Sequence, residues 1–343
     1  MKKLYFTPGP SQIYPQLERY MKEALKKNIP SISHRSEEFM QIVKDVDSGL
    51  RTLLTIPQTH HIFFLSSSLE SMERIIDNIV KKTSFHFVNG SFAQAFADTA
   101  KAKGKKMFLH NFLPGKKISF ETIIIPNEVE LICITQNETS NGTCVPLEDI
   151  YLLKKRYPTI PIALDIVSSA PYPNVDLGKI DCAFFSVQKG FGLPAGLGIL
   201  IVSDILVKNS KKKGYHDFPS LLSKSMKFQT PETPNVLNIF LLKKVVEDMN
   251  KKGIETIRKE TEEKAKLIEE NGNLFIENDA VRSKTVLVLN TQRKTKEIVQ
   301  KLKKKNIIVG KGYGNYKDTH IRIANFPQHT KKQIKKLLHA LNT

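Results

Sequence analysis

The chain has no tryptophan, three cysteines, and nine arginines among its 53 basic residues. No apolar run approaches the length that spans a bilayer, and the opening stretch "MKKLYFTPGP" lacks the apolar core of a signal peptide. Cys133, Cys144 and Cys182 are odd in number and not spaced as metal ligands, which fits a reduced, cytoplasmic setting and no metal site. The scarcity of arginine argues against nucleic acid. A formal charge of +19 and lysine pieces at 211–213 and 301–305 would attract phosphates. Readers of bases and phosphates, however, favour the planar guanidinium fork, and no nucleic-acid motif is present. A solvated lysine surface is the better reading, with no nucleic acid and no membrane among the partners.

What is present is a globular composition, 40% hydrophobic and 25% charged, on a chain of 343 residues. That length exceeds one ordinary core and suggests two domains. There are no internal repeats and no low-complexity linker. The order of elements predicts an α/β protein. "HHIFFLSSSLESMERIIDNIVKK" reads as strand, serine turn and amphipathic helix, and "SFHFVNGSFAQAFADTAKAKG" repeats the pattern. "VELICITQNETSNGTCV" is a strand entering a polar turn, and "PIALDIVSSA" a strand ending at Asp165. Such alternation implies a mainly parallel sheet covered by helices, with any ligand beyond the carboxyl ends of the strands. One long helical region is expected from about Val236 to Glu270. The remainder, with "TVLVLNT", "NIIVGKG" and "THIRIANF", reads as a small α+β domain.

One lysine stands apart. In "FFSVQKGFGLPAGLG", Lys189 follows an apolar strand and precedes a chain of glycines that let something approach the backbone closely. Asp165 ends the preceding strand, 24 residues upstream. From adjacent strands an acid and a lysine can address opposite ends of one flat ligand. A desolvated lysine has a lowered pKa and forms Schiff bases, and a carboxylate below a pyridine nitrogen keeps it protonated. The chemistry implied is that of pyridoxal 5'-phosphate. The plain alternative is a surface lysine at a strand end.

At these residues the chain resembles the class V, fold type I aminotransferases, and most closely their phosphoserine branch. The resemblance runs through "FTPGPS" at Phe6–Ser11, "SHRSEEF" at Ser33–Phe39, "NGSF" at Asn89–Phe92 and "NETSNG" at Asn137–Gly142. It continues through "DIVSS" at Asp165–Ser169, the lysine segment, "QTPETPN" at Gln229–Asn235 and "RIANF" at Arg322–Phe326. It implies a large cofactor-binding domain with a mainly parallel seven-stranded sheet, residues 16–245, and a small domain from 1–15 and 246–343. By the same resemblance, Lys189 carries the cofactor and moves the substrate's Cα proton, and Asp165 pairs with the ring nitrogen. Phe92 stacks on the ring where the phosphoserine branch usually has tryptophan, and Thr139 donates to the ring's 3'-oxygen. Ser67, Ser68 and Gln188 hold the phosphate, joined by Gln229 and Thr230 of the neighbouring subunit, so that the active site exists only in a homodimer.

Arg322 matches the arginine that takes the substrate's α-carboxylate, and His34 with Arg35 the pair that meets its distal acidic group. One departure bears on the substrate. The phosphoserine branch carries a second His-Arg pair before that arginine, and "VGKGYGNYKDTHIR" has Tyr313 and Gly314 there, with Lys311 and Lys317 as the nearby cations. The first reading is therefore a phosphoserine:2-oxoglutarate aminotransferase, with an amino acid and a 2-oxo acid as substrates. The second is an alanine-glyoxylate or serine-pyruvate type transaminase. A reading of another class is a non-catalytic basic binding protein on the same fold.

Overall fold

The computed structural model describes residues 3–211 and 214–343; Lys212 and Lys213, two of the three lysines at 211–213, lie outside them. Seven strands form one sheet in the order His60–Leu65, Gly198–Ser203, Cys182–Ser186, Ile162–Asp165, Ile132–Thr135, Thr83–Val88 and Lys106–Asn111. All neighbours run parallel except Gly198–Ser203, which is antiparallel to both of its own. The sheet is therefore mainly parallel and, apart from the edge strand Lys106–Asn111, reads as near-continuous apolar runs buried on both faces.

Alternation along each strand divides those runs between two cores. Phe85, Phe87, Ile132, Ile134, Ile162, Leu164 and Phe185 fill one side. Phe63, Leu65, Cys133, Ala163, Phe184 and Leu200 fill the other. Burial of each such phenylalanine contributes about 1.5–3 kcal/mol. Cys133 and Cys182 are core residues, their thiols pushed well up by burial.

A second, four-stranded sheet joins Leu4–Phe6, Ile307–Lys311, His320–Ala324 and Val286–Asn290 in that order, around its own core of Leu287, Ile307, Ile321, Ile323 and Leu337. The N-terminal strand thus belongs to the C-terminal sheet. The long helical region is two helices, Val236–Lys252 and Ile254–Asn271. Gly253, at φ +84°, supplies the left-handed turn between them. We propose the division into 16–245 and 1–15 with 246–343 as the two domains, with the helix Val236–Lys252 running across the boundary. No helix among the described residues is long and apolar enough to cross a membrane.

The two sheets meet at the polar turn Asn137–Gly142. A Cβ on Gly142 would lie 2.9 Å from the Val286 carbonyl oxygen, and φ there is +78°. Thr285 Oγ1 donates to the Ser168 carbonyl at 2.7 Å, while Asn137 Nδ2 donates to Ser168 Oγ at 2.8 Å.

Candidate active site

The carboxyl ends of Thr83–Val88, Ile132–Thr135, Ile162–Asp165 and Cys182–Ser186 open onto one place, and Lys189 lies in it. The chain leaves Ser186, turns through Val187 and Gln188, and is held where Gly192 N donates to the Lys189 carbonyl at 3.0 Å. Gly190 is required here, because a Cβ would sit 1.9 Å from the Ala170 carbonyl oxygen. Lys189 is 6% exposed. Its Nζ donates to Thr139 Oγ1 at 2.9 Å and stands 5.2 Å from the centre of the Phe92 ring. The aliphatic stem packs on the Gly9 backbone, where a Cβ would lie 2.8 Å from Lys189 Cε. Gln328 Nε2 donates to the Lys189 carbonyl at 2.8 Å and to that of Gln12 at 2.9 Å. Burial pushes the amine down to about 8, against the pull of Asp165 and Glu138. It is therefore a nucleophile within reach of neutral pH.

Asp165 ends the adjacent strand, in register with Thr135 on one side and Phe184 on the other. Its Oδ1 accepts from Val167 N at 2.8 Å, whereas Oδ2 has only a 3.5 Å contact with Thr135 Oγ1. Oδ2 keeps acceptor capacity for a further donor. Burial pushes this acid up to about 6, with Lys189 opposing.

Arg322 reaches the same space from the small sheet. Its Nε donates to the Lys311 carbonyl at 2.7 Å and Nη1 to the Thr139 carbonyl at 3.2 Å. Three of its five N–H groups remain for a ligand. Gly310, opposite Arg322 in the ladder, leaves room for Pro8. Tyr313 lies between Arg322 and Phe92, its ring 5.2 Å from the guanidinium carbon and 5.6 Å from the Phe92 ring. Tyr313 thus puts an aromatic wall beside Arg322, and Lys311 meets Arg322 through its carbonyl only.

Ser67 and Ser68 stand at the start of the helix Ser68–Ile79, where the helix dipole favours an anion. Ser67 is the N-cap, its Oγ accepting from Glu70 N at 3.1 Å, and Ser68 N donates to Ser186 Oγ at 3.0 Å. Among the described residues neither serine hydroxyl donates a hydrogen bond. The Glu70 carboxylate turns back onto Ser66 N and Oγ, at 2.8 and 2.6 Å. Gly198 makes the close packing possible, since a Cβ would lie 2.6 Å from the Ser67 carbonyl carbon. Ser11 N donates to the Gln188 carbonyl at 3.1 Å, and both Gln188 Oε1 and Ser11 Oγ are buried without a partner among the described residues.

His34, Arg35, Gln229 and Thr230 form a second group. Arg35 Nη1 donates to Gln229 Oε1 at 2.9 Å and to the Thr230 carbonyl at 2.7 Å, and Nη2 to the Pro231 carbonyl at 3.0 Å. His34 Nδ1 lies 3.4 Å from Thr233 Oγ1. Among the described residues no hydrogen bond or ion pair joins this group to Lys189, Asp165, Phe92, Thr139 or Arg322. Two further residues at the site went unread in the sequence: Glu138, hidden inside the polar "NETSNG" turn, and Gln328, which carries no sequence signal.

The set fits a flat, phosphate-bearing aldehyde. It offers an amine near neutrality, an unspent carboxylate oxygen, an aromatic face, a hydroxyl beside the amine and hydroxyls at a helix N-terminus. No group of three histidine, cysteine or acidic side chains among the described residues is placed to hold a metal ion.

Comparison with known proteins agrees with this chemistry. Residues 5–336 match the family model "Aminotransferase class-V". A solved phosphoserine aminotransferase of Cytophaga hutchinsonii superposes with a TM-score of 0.96 at 44% identity, over 99% of this chain and 98% of that one. An uncharacterised aminotransferase of Methanocaldococcus jannaschii is 28% identical over 305 residues, 83% of this chain and 77% of its own. A phosphoserine aminotransferase of Bacillus thuringiensis subsp. konkukian is 26% identical over 97% of both chains. The protein belongs to the class V aminotransferases and is a pyridoxal-phosphate-dependent enzyme that acts on amino acids and 2-oxo acids.

Proposed function

We propose that the chain is a phosphoserine:2-oxoglutarate aminotransferase, cytoplasmic and working as a homodimer. The observation that carries the substrate class is Arg322, a half-free fork fixed to the carbonyl of Thr139, whose hydroxyl accepts from Lys189 Nζ. The relatives named above support the phosphoserine reading.

Pyridoxal phosphate, when bound, supplies an aldehyde for the amino group and an electron-withdrawing ring that stabilises charge at the substrate's Cα. The chain's own residues do the rest. Ser67, Ser68 and Gln188 hold the phosphate, Phe92 covers one ring face, and Thr139 donates to the ring's 3'-oxygen. Asp165 Oδ2 holds the proton on the ring nitrogen. Arg322 would take the α-carboxylate and so orient the Cα–H towards Lys189 Nζ, which would carry the proton between Cα and C4' of the cofactor, two bonds away. Because His34, Arg35, Gln229 and Thr230 stand apart from Lys189 of their own chain, they serve the site of a second copy: Thr230 and Gln229 at its phosphate, His34 and Arg35 at the substrate's distal acid.

The acidity of Asp165 gives a pH dependence. Its carboxylate must be charged to hold a protonated ring nitrogen, so protonation competes with cofactor binding. Cofactor affinity of the apoprotein falls about tenfold for each pH unit below about 6. In Asp165→Asn that added slope is missing, and titrating both apoproteins with pyridoxal phosphate from pH 7 to 4.5 measures it. Parallel curves for the two proteins would remove Asp165 from the ring nitrogen.

Substrate choice is tested by mixing the loaded enzyme with single amino acids and following its visible absorption. Phosphoserine should discharge the band, and alanine should not. Arg35→Ala should raise KM for phosphoserine more than about tenfold and clearly more than it raises that for alanine, while the lost bonds to Gln229, Thr230 and Pro231 slow both reactions alike. Discharge by alanine or serine alone would favour the second reading, an alanine-glyoxylate or serine-pyruvate type enzyme. The aromatic wall of Tyr313 beside Arg322 is the observation on its side.

A further inference from the structure

Glu138 is fully buried in the turn that also carries Thr139. A carboxylate there costs several kcal/mol in lost hydration unless its oxygens are filled, and they are. Oε2 accepts from the backbone N–H groups of Phe92 and Ala93, at 3.1 and 2.9 Å. Oε1 accepts from Ser140 N at 2.9 Å and Ser140 Oγ at 2.7 Å. Ser140 Oγ in turn accepts from Ser91 N at 3.1 Å. The helix Ser91–Ala102 has Gly90 as its N-cap, with no side chain to cap it. Glu138 does so from another segment, 46 residues away in sequence from Phe92. Gly90 is needed for this approach, since a Cβ would lie 2.4 Å from Glu138 Cγ.

The consequence reaches the site. Phe92 sits in the first turn of that helix, and Thr139 is the next residue after Glu138. One carboxylate therefore locks the ring facing Lys189 Nζ and the hydroxyl that accepts from Nζ into one unit. We infer that Glu138 is a positioning residue, which holds Phe92 and Thr139 at the spacing that the cofactor ring and Lys189 require. The inference rests on the class V reading of Lys189. A second effect is electrostatic. Lys189 faces Asp165 from the adjacent strand, Glu138 from the turn and Arg322 from the small sheet, and Glu138 is one of the two anions that favour its charged form.

The test uses full-length apo and loaded protein. Glu138→Gln keeps the shape but turns an NH2 group against two of the four donors. Ser140→Ala removes one donor with little threat to folding. We expect Glu138→Gln to bind pyridoxal phosphate about 10- to 100-fold more weakly and to lose a similar factor in kcat. KM for the amino donor should stay within about threefold, because Arg322 keeps its bond to the Lys311 carbonyl. The pH midpoint of the visible spectrum should move down, since an anion near Lys189 has gone. Ser140→Ala should weaken cofactor binding in the same direction and leave the midpoint in place, because no charge is lost.

Glu138→Gln with wild-type cofactor affinity and midpoint, whatever its melting temperature, would overturn the inference and leave Glu138 a helix cap. Failure of the wild-type protein to bind pyridoxal phosphate would instead overturn the reading of Lys189 itself.

Discussion

Lys189→Ala should turn over at no more than about one thousandth of the wild-type rate for every amino donor, because positioned proton transfer alone contributes roughly 10²–10⁴-fold. The loss is chemical rather than structural. Among the described residues the Lys189 side chain makes one hydrogen bond, to Thr139 Oγ1, and its stem packs on a glycine. Alanine leaves a void where the amine stood, with Asp165, Thr139 and Phe92 still around it. Added methylamine should enter that void and restore part of the rate, more effectively as pH rises and the free amine accumulates. A single-turnover assay on the loaded variant, with and without methylamine, measures both effects. Rates within a few-fold of wild type would remove Lys189 from the chemistry.

Arg322→Ala is the second large effect. Its guanidinium is anchored by two carbonyls and the Tyr313 ring, and burial disfavours its charge, pulling its pKa below the ordinary value. A cation kept in such a place is stabilised further when a carboxylate arrives. Truncating one member of a buried, hydrogen-bonded charge pair costs about 2–5 kcal/mol, so kcat/KM should fall between about 30-fold and about 5,000-fold, mostly through KM. Arg322→Lys should recover little, because an ammonium cannot present a fork and cannot keep both the Lys311 and Thr139 carbonyls. Steady-state kinetics with two donors of different side chain provide the check. The same factor for both fits an α-carboxylate contact. A factor that depends on the side chain would place Arg322 at the distal group instead.

Much of this architecture was legible from local pattern. The apolar runs at 60–65, 83–88 and 182–186 are buried along almost their whole length, so their composition alone marks them as strands of the core sheet. Lys189 and Asp165 stood out because a charged residue at the end of such a run must be accounted for. The edge strand Lys106–Asn111 did not stand out, since its residues alternate between half-buried and exposed and resemble a loop. The break at Gly253 was missed because glycine within a lysine-rich helical stretch has no local partner to betray a turn. Glu138 was unreadable for a different reason. An acid between Asn137 and Thr139 looks like surface, and only the fold brings it to the N-terminus of the helix Ser91–Ala102. The Arg35 contact with Thr230 spans 195 positions, and no local pattern announces it.

That contact has a consequence for how two copies come together. In the proposed dimer, Gln229 and Thr230 are what one subunit lends to the other. Arg35 already braces the Gln229–Pro231 backbone within the lending chain, and the Thr230 hydroxyl is turned onto the Glu232 carbonyl. A loop frozen before it meets its receiver loses little freedom at the encounter. The backbone of the lent half thus arrives already braced, and the Thr230 hydroxyl has only to turn from the Glu232 carbonyl to donate to a phosphate.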